Sequence, residues 1–579
     1  MFHHGQISPR LLVGALALSV ALSACAPAPT ATPAPSGSQP VAPPAAPAAK
    51  KTLVFGVDGE PRGLGQFFIG GTNTMAPIFT MVHDFLVRND TNFRSVPALA
   101  AEVIAQDRGT WTVNPDGTMV TTWRLRPNIK WHDGTPFHAE DLVFGWRVSL
   151  HPDVPFSPRR VAELIERMDA PDAQTLVIHW KSPYPFADRL ELSDGYALPR
   201  HLLQQRLEDD PKNLQNMSYW KGDFVGLGPY KMADWAPGSH MTLEANPDYH
   251  LGKPKIDALV HRFIDDENTL VANVLSGEID IVVPATNVAP QQRQIIKQQW
   301  EAAGHGQVMP NLVGRFPHVG IALRNPILQD LRVRQAFIHA FDRAALADTV
   351  VLEPGYRTDS WIQPGMERYE RARSAIQTYD FNPTRATQLL EEAGYRGGPS
   401  PVTGPSGARL KVEYRGATTG PRYTEMSLAC ANWRTIGIEC DETPRAGALA
   451  QDPEWRATYQ WFDGTSGPAS MGFISRRLHS SQVPTAERRW QGSNDGGIRD
   501  SDADRLVDLY SRTVNPTEQE GVEIELASLL SRQLYVYPLY REVTSVVMKR
   551  GITGPQPMAA VGISSDLWNT WNIHQWDRQ

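Results

Sequence analysis

Cysteine is scarce, with three in 579 residues and no CxxC pair. That excludes a scaffold built on disulfides and the usual cysteine-based structural zinc site. Charge of one sign is missing as well: 56 Lys and Arg against 63 Asp and Glu leave a net charge of −7, too mild a field for nucleic acid. No HExxH and no GxxxxGK[ST] occurs, which removes zinc-protease and P-loop nucleotide chemistry. Gly464-Thr465-Ser466-Gly467-Pro468 fails the GxSxG pattern at its last position. A paired-carboxylate glycosidase needs no fixed spacing and stays as the remote enzymatic alternative. No metal or cofactor is expected.

What is present is ordinary globular composition, 41% hydrophobic and 21% charged, enough to bury large cores in about three or four domains. Only one long apolar run occurs, Leu11 to Leu22 behind Arg10, and it is too short to span a bilayer. It reads as a signal-peptide core. The run ends in Leu22-Ser23-Ala24-Cys25, which resembles the lipobox of bacterial lipoproteins. Residues 1–24 are therefore expected to be removed and Cys25 acylated, placing the protein in the cell envelope on a lipid anchor. Residues 26–50 hold 9 Ala and 8 Pro, the composition of an extended tether.

From Lys51 the pattern alternates strands and helices, the mark of mixed α/β architecture. Residues 51–57 read as a strand and 74–88 as a helix burying Ile78, Phe79, Val82, Phe85 and Leu86. Asn114-Pro115-Asp116-Gly117 is a hairpin turn. His132, Asp133, His138, Glu140 and Asp141 invite a metal or acid/base reading. However, adjacent Glu140 and Asp141 diverge on a helix, and Asp133-Gly134 is a turn. Residues 331–348 read as one amphipathic helix, and 382–394 as another with Asn382 as N-cap and Pro383 at its first position. Strand 410–414, helix 421–435 and strand 437–440 form a β-α-β unit.

Residues 121–148 (TTWRLRPNIKWHDGTPFHAEDLVFGWRV), 222–249, 276–282, 324–343 (RNPILQDLRVRQAFIHAFDR) and 379–395 (YDFNPTRATQLLEEAGY) together resemble, in order and spacing, the extracytoplasmic solute-binding proteins of the oligopeptide-binding family. The resemblance implies a two-lobed periplasmic-binding-protein fold of class II type with an additional domain inserted in the first lobe. Lobe one is expected over 51–312 plus 540–579, with the inserted subdomain at about 86–218, and lobe two over 313–539. It implies a receptor that captures a peptide or similar small solute and delivers it to the permease and ATPase subunits of an ATP-driven importer. Sugar, opine, haem or nickel-complex cargo is the alternative within the same fold. A monomer is expected.

In peptide-binding members an aspartate of lobe two pairs with the ligand ammonium, and Asp463 falls on that position, although an Asp-Gly turn facing solvent is the plainer reading of the same dipeptide. Residues 464–468 depart from the family's usual Tyr/Asp/Pro pattern. Trp461 and Phe462 are candidates for stacking on the ligand, Arg62 in the turn 60–68 for meeting a carboxylate, and Asn494 for a cleft loop. Cys430 and Cys440 sit on consecutive elements of the β-α-β unit, either as a disulfide or as two buried thiols.

Overall fold

Strand Thr52–Val57 lies at the centre of a seven-stranded sheet because both of its faces are apolar. Leu53, Phe55 and Val57 enter one core with Phe79, Met241 and Trp576. Val54 packs on the other side, with Leu270 and Ile279. The computed structural model describes residues 50–65, 75–91, 94–155, 160–190, 197–283, 288–312, 314–398, 401–445, 449, 452–557 and 570–579. The expected leader, the expected lipidation site Cys25 and nearly all of the expected tether lie outside the described residues.

Across the first sheet the strand order is Gly306–Leu312, Val543–Lys549, Ile281–Val282, Thr52–Val57, Ala258–Phe263, His240–Ala245 and Tyr230–Ala236. Thr52–Val57 pairs in parallel with both Ala258–Phe263 and Ile281–Val282. A separate antiparallel sheet, Trp111–Val113, Met119–Arg124, Thr175–Trp180 and Ile165–Asp172, is covered by helix Ala139–Leu150 over a core of Trp123, Trp131 and Trp180. The Asp141 carboxylate accepts the His138 N–H at 2.9 Å, and Asp133 accepts the Thr135 N–H, so both acids complete local backbone turns.

The second large sheet has five strands in the order Glu439–Arg445, Lys411–Ala417, Phe462–Pro468, Arg315–Ile321 and Val536–Pro538. Helices Leu331–His339, Pro383–Glu392 and Gly420–Thr435 bury one core around Phe337, Trp433 and Phe462. Helices Met471–Leu478, Ser501–Arg512 and Pro516–Gln533 bury another around Phe316, Trp361 and Leu526. The chain leaves the seven-stranded sheet at Leu312, enters the five-stranded one at Arg315, leaves it at Pro538 and returns at Val543. These two sheets, each with its own cores, make a two-lobed mixed α/β molecule joined by two crossings.

Two elements are shorter than the hydrophobic period predicts. The helix expected over 74–88 is Met75–Val82, after which Val87–Asn89 is a strand. Buried Asp84 ends it by accepting the Phe85 N–H at 2.9 Å and the Arg88 guanidinium at 2.7 Å. The helix expected over 331–348 is two, Leu331–His339 and Arg343–Val351, because Asp342 caps the second by accepting the Ala345 N–H. Periodicity continues through both breaks because the residues beyond them are buried regardless.

Candidate functional site

Topology determines which end of the five-stranded sheet meets the crossings. Lys411–Ala417 runs parallel to Glu439–Arg445 and to Phe462–Pro468, whereas Arg315–Ile321 runs against Phe462–Pro468 with Arg315 opposite Pro468. The carboxyl ends of the parallel strands therefore lie beside Arg315, where the chain enters from the other lobe. Ligands of open α/β sheets bind outside such ends.

Strand Phe462–Pro468 is paired along all seven residues to Arg315–Ile321. On its other side the register with Lys411–Ala417 covers only Phe462 and Asp463. Among the described residues, Gly464 to Pro468 thus present an unpaired strand edge toward the crossings. Ser466 Oγ is buried there without a partner.

Alternation along the strand separates its side chains. Phe462 faces the core, its ring 4.9 Å from Phe337 and 4.7 Å from Trp433. Gly464 shares that face: a Cβ there would stand 3.2 Å from Tyr414 Cε1, so glycine leaves room for the tyrosine. Asp463 takes the opposite face with Arg415, its parallel partner. Its side chain is 13% exposed, and the Arg445 guanidinium stands 3.6 Å away. Burial pushes the Asp463 carboxyl up to about 6, against the opposing pull of Arg445 and Arg477. Arg415 donates to Glu413 and to the Trp455 carbonyl, both at 3.1 Å, and Arg477 donates to Asp495 at 3.2 Å. Arg415 and Arg445 both lie against the Trp455 ring, at 4.5 and 5.6 Å.

The other residues singled out from sequence are dispersed. Trp461 is half-buried at the margin of the core, and its carbonyl accepts the Ala322 N–H. Phe462 is wholly a core residue. The buried Asn494 amide donates to the carbonyls of Leu478, His479 and Ile498 and accepts the Ile498 N–H at 2.9 Å, so its side chain closes its own loop. Arg62 is exposed in the turn after Thr52–Val57, and residues 66–68 of that turn lie outside the described residues. Cys430, on helix Gly420–Thr435, is bonded through sulfur to Cys440 on the following strand, with a Cα separation of 5.3 Å.

Sequence reasoning missed Arg445, which stands beside Asp463, Trp455, which lies against Arg415 and Arg445, and the Arg477–Asp495 pair whose charges act on Asp463; they come from separate elements with no motif linking them. It also missed a charged group at the crossings. Buried Glu425 accepts from Arg422 and from the Tyr540 hydroxyl. Glu542 lies 3.4 Å from Arg315 and 3.8 Å from Arg422. Burial pushes the Glu425 carboxyl up to about 7 despite Arg422.

The family model for bacterial extracellular solute-binding proteins, family 5 middle, matches residues 96–479. The dipeptide-binding protein of Escherichia coli K12 is 25% identical over 481 residues, covering 77% of this chain and 76% of that one. Among solved structures, the Bacillus subtilis oligopeptide-binding protein AppA in complex with a nonapeptide shares the fold with a TM-score of 0.64 at 18% identity, over 92% of this chain and 99% of that one. NikZ from Campylobacter jejuni in complex with Ni(L-His) does so with a TM-score of 0.67 at 22% identity, over 91% and 100%. With two thirds of its length matched by the family model and the two-lobed fold shared with these structures, the chain belongs to family 5 of the bacterial extracellular solute-binding proteins.

Proposed function

We propose that this protein is the capture subunit of an ATP-driven importer, taking a peptide from outside the membrane and presenting it to a permease whose ATPase partners supply the energy. The observation that carries this reading is the unpaired edge Gly464–Pro468, which begins next to Asp463. An extended peptide added to such an edge hydrogen-bonds through its main chain irrespective of sequence. Asp463 supplies a terminal anchor: an ammonium there returns to a buried carboxylate the charge that burial opposes. Trp461 and Arg62 are proposed as further cargo contacts, while Phe462 and Asn494 act by holding the strand and the loop in place. Binding rather than turnover is the function, the cargo leaving chemically unchanged. Lipid at Cys25 keeps the receptor at the membrane as a monomer.

The test is mass spectrometry of the small molecules released on denaturing purified protein. Short peptides of unmodified sequence are expected. A single sugar, opine, haem or nickel chelate in their place sinks the peptide reading and leaves the receptor fold standing.

A further inference from the structure

All four strands of the antiparallel sheet built on Trp123 and Trp180 precede both crossings in the chain, so connectivity does not impose contact between this sheet and the lobe built on the five-stranded one. The two nevertheless touch. Beyond Trp180 the chain continues as Lys181-Ser182-Pro183-Tyr184-Pro185-Phe186, an arm whose two prolines restrict its backbone. Tyr184 stacks back on Trp180 of its own sheet at 5.1 Å between ring centroids, and Phe186 meets Tyr184 edge-on at 5.8 Å. The Phe186 ring also lies 6.0 Å from Tyr510, on helix Ser501–Arg512 of the other lobe, and packs on the core around Phe316, Trp361 and Leu526. In return Val514, two residues beyond that helix, packs on the core of Trp123, Trp131 and Trp180.

Strand directions place this contact. Strand Val536–Pro538 runs toward the return crossing, and helix Pro516–Gln533 stands just before it, with the left-handed Leu534 reversing the chain between the two. The helix therefore begins, and the Thr513–Asn515 turn lies, at the end of the five-stranded sheet that faces the crossings. Arg94 and Glu367 approach to 3.9 Å across the same division of the chain, both largely exposed. An aromatic pair adds ring contact beyond its buried area. One ring and one valine still make a small seam, of the kind that parts when domains move.

We propose that Phe186 is a latch between the lobes, docking against Tyr510 with Val514 packed across the same seam when the lobes come together over the cargo, and setting how long the cargo is held. A contact made only with the lobes together stabilises that state alone. Cargo that touches both lobes binds that state, so its apparent affinity falls with the population of the state, chiefly through faster release. Phe186 is a positioning residue in this role and touches no cargo. The latch rests on the capture function proposed above for its purpose, and on the interlobe contacts alone for its geometry.

The test places spin labels at Arg94→Cys and Glu367→Cys in the full chain, on opposite sides of the seam, where loss of one exposed ion pair matters little. Interlobe distances are measured in this labelled parent and in the parent carrying Phe186→Ala, Phe186→Tyr or Val514→Ser, with and without a random tripeptide library. Tripeptide retained after dilution is followed by mass spectrometry, and thermal midpoints are recorded in parallel. Phe186→Ala is expected to shift the label pair toward longer distances at a little-changed midpoint and to release captured tripeptides about five-fold faster or more. Phe186→Tyr, which keeps the ring, is expected to keep the parent distances and release. If Phe186→Ala does not fold, Val514→Ser, altered on the other lobe, carries the same expectation. Parent-like distances in the folded variants, or longer distances with unchanged release, overturn the latch, and capture of tripeptides by the parent then leaves the peptide reading standing. A parent that captures no tripeptide while Phe186→Ala still lengthens the distance sinks the peptide reading and leaves the latch standing.

Discussion

The Tyr540 hydroxyl donates to Glu425 Oε1 at 2.7 Å, tying the segment that crosses back between the sheets to helix Gly420–Thr435 of the five-stranded sheet. With Arg422 on the same carboxylate and Glu542 bridging toward Arg315, both crossings are held to one helix. Tyr540→Phe deletes a hydrogen bond to a buried acid and is expected to lower stability by roughly 1–3 kcal/mol in urea unfolding. The pH dependence has a definite sign. Glu425 is raised from 4.5 to about 7 by burial, so the folded state holds a proton that the unfolded chain releases. Its contribution is complete below about 4.5 and is lost as pH rises through about 7, an effect of order 3 kcal/mol. Glu425→Gln should flatten the stability profile across that window; an unchanged slope refutes the assignment.

For cargo binding the pH trend runs the other way. Asp463 must be ionised to take an ammonium, and burial raises it to about 6. Peptide affinity should therefore strengthen as pH rises through about 6, by up to about ten-fold between pH 5 and pH 8. Asp463→Asn should bind more weakly, with a level profile. Titration calorimetry of both proteins across that range decides the point, and a parallel profile in the variant counts against Asp463.

Bonding between Cys430 and Cys440 closes a short loop, the two residues lying 10 apart. Thiol titration of unfolded, unreduced protein should find no free thiol from this pair. Cys440→Ala should lower stability by roughly 2–3 kcal/mol on the chain-entropy estimate. Two reactive thiols beyond Cys25 would mean that the pair stays reduced.

Gly228 packs directly on the end of helix Met75–Val82. A Cβ on Gly228 would fall 2.4 Å from the Val82 carbonyl carbon and 2.5 Å from the His83 nitrogen, both backbone atoms. Neither can yield without displacing the end of helix Met75–Val82. Gly228→Ala is expected to destabilise the protein by at least about 3 kcal/mol, read as a thermal midpoint or a loss of soluble yield. A variant that melts with wild type argues against this close approach.

Cys25→Ala should release the receptor from the membrane fraction, and the mature wild-type N-terminus should carry an acyl mass on Cys25. Recovery of wild type in the soluble fraction with an unmodified N-terminus would exclude the anchor.

The sequence by itself determined the class of architecture, since strand and helix patterning depends on side chains near one another in the chain. Asn382 with Pro383 does start helix Pro383–Glu392, and the β-α-β unit forms as Lys411–Ala417, Gly420–Thr435 and Glu439–Arg445. Through the family resemblance it also led to the expectation of a ligand contact at Asp463. Tertiary structure alone decided which faces those residues take. Phe462 and Asp463 are adjacent, yet one closes a core and the other meets arginines, because a strand turns successive side chains to opposite faces. Arg445 and Glu425 carried no local signal. Their chemistry depends on burial and on charges brought from other strands and from the returning crossing, and contacts between residues so far apart in the chain exist only once the sheet has assembled.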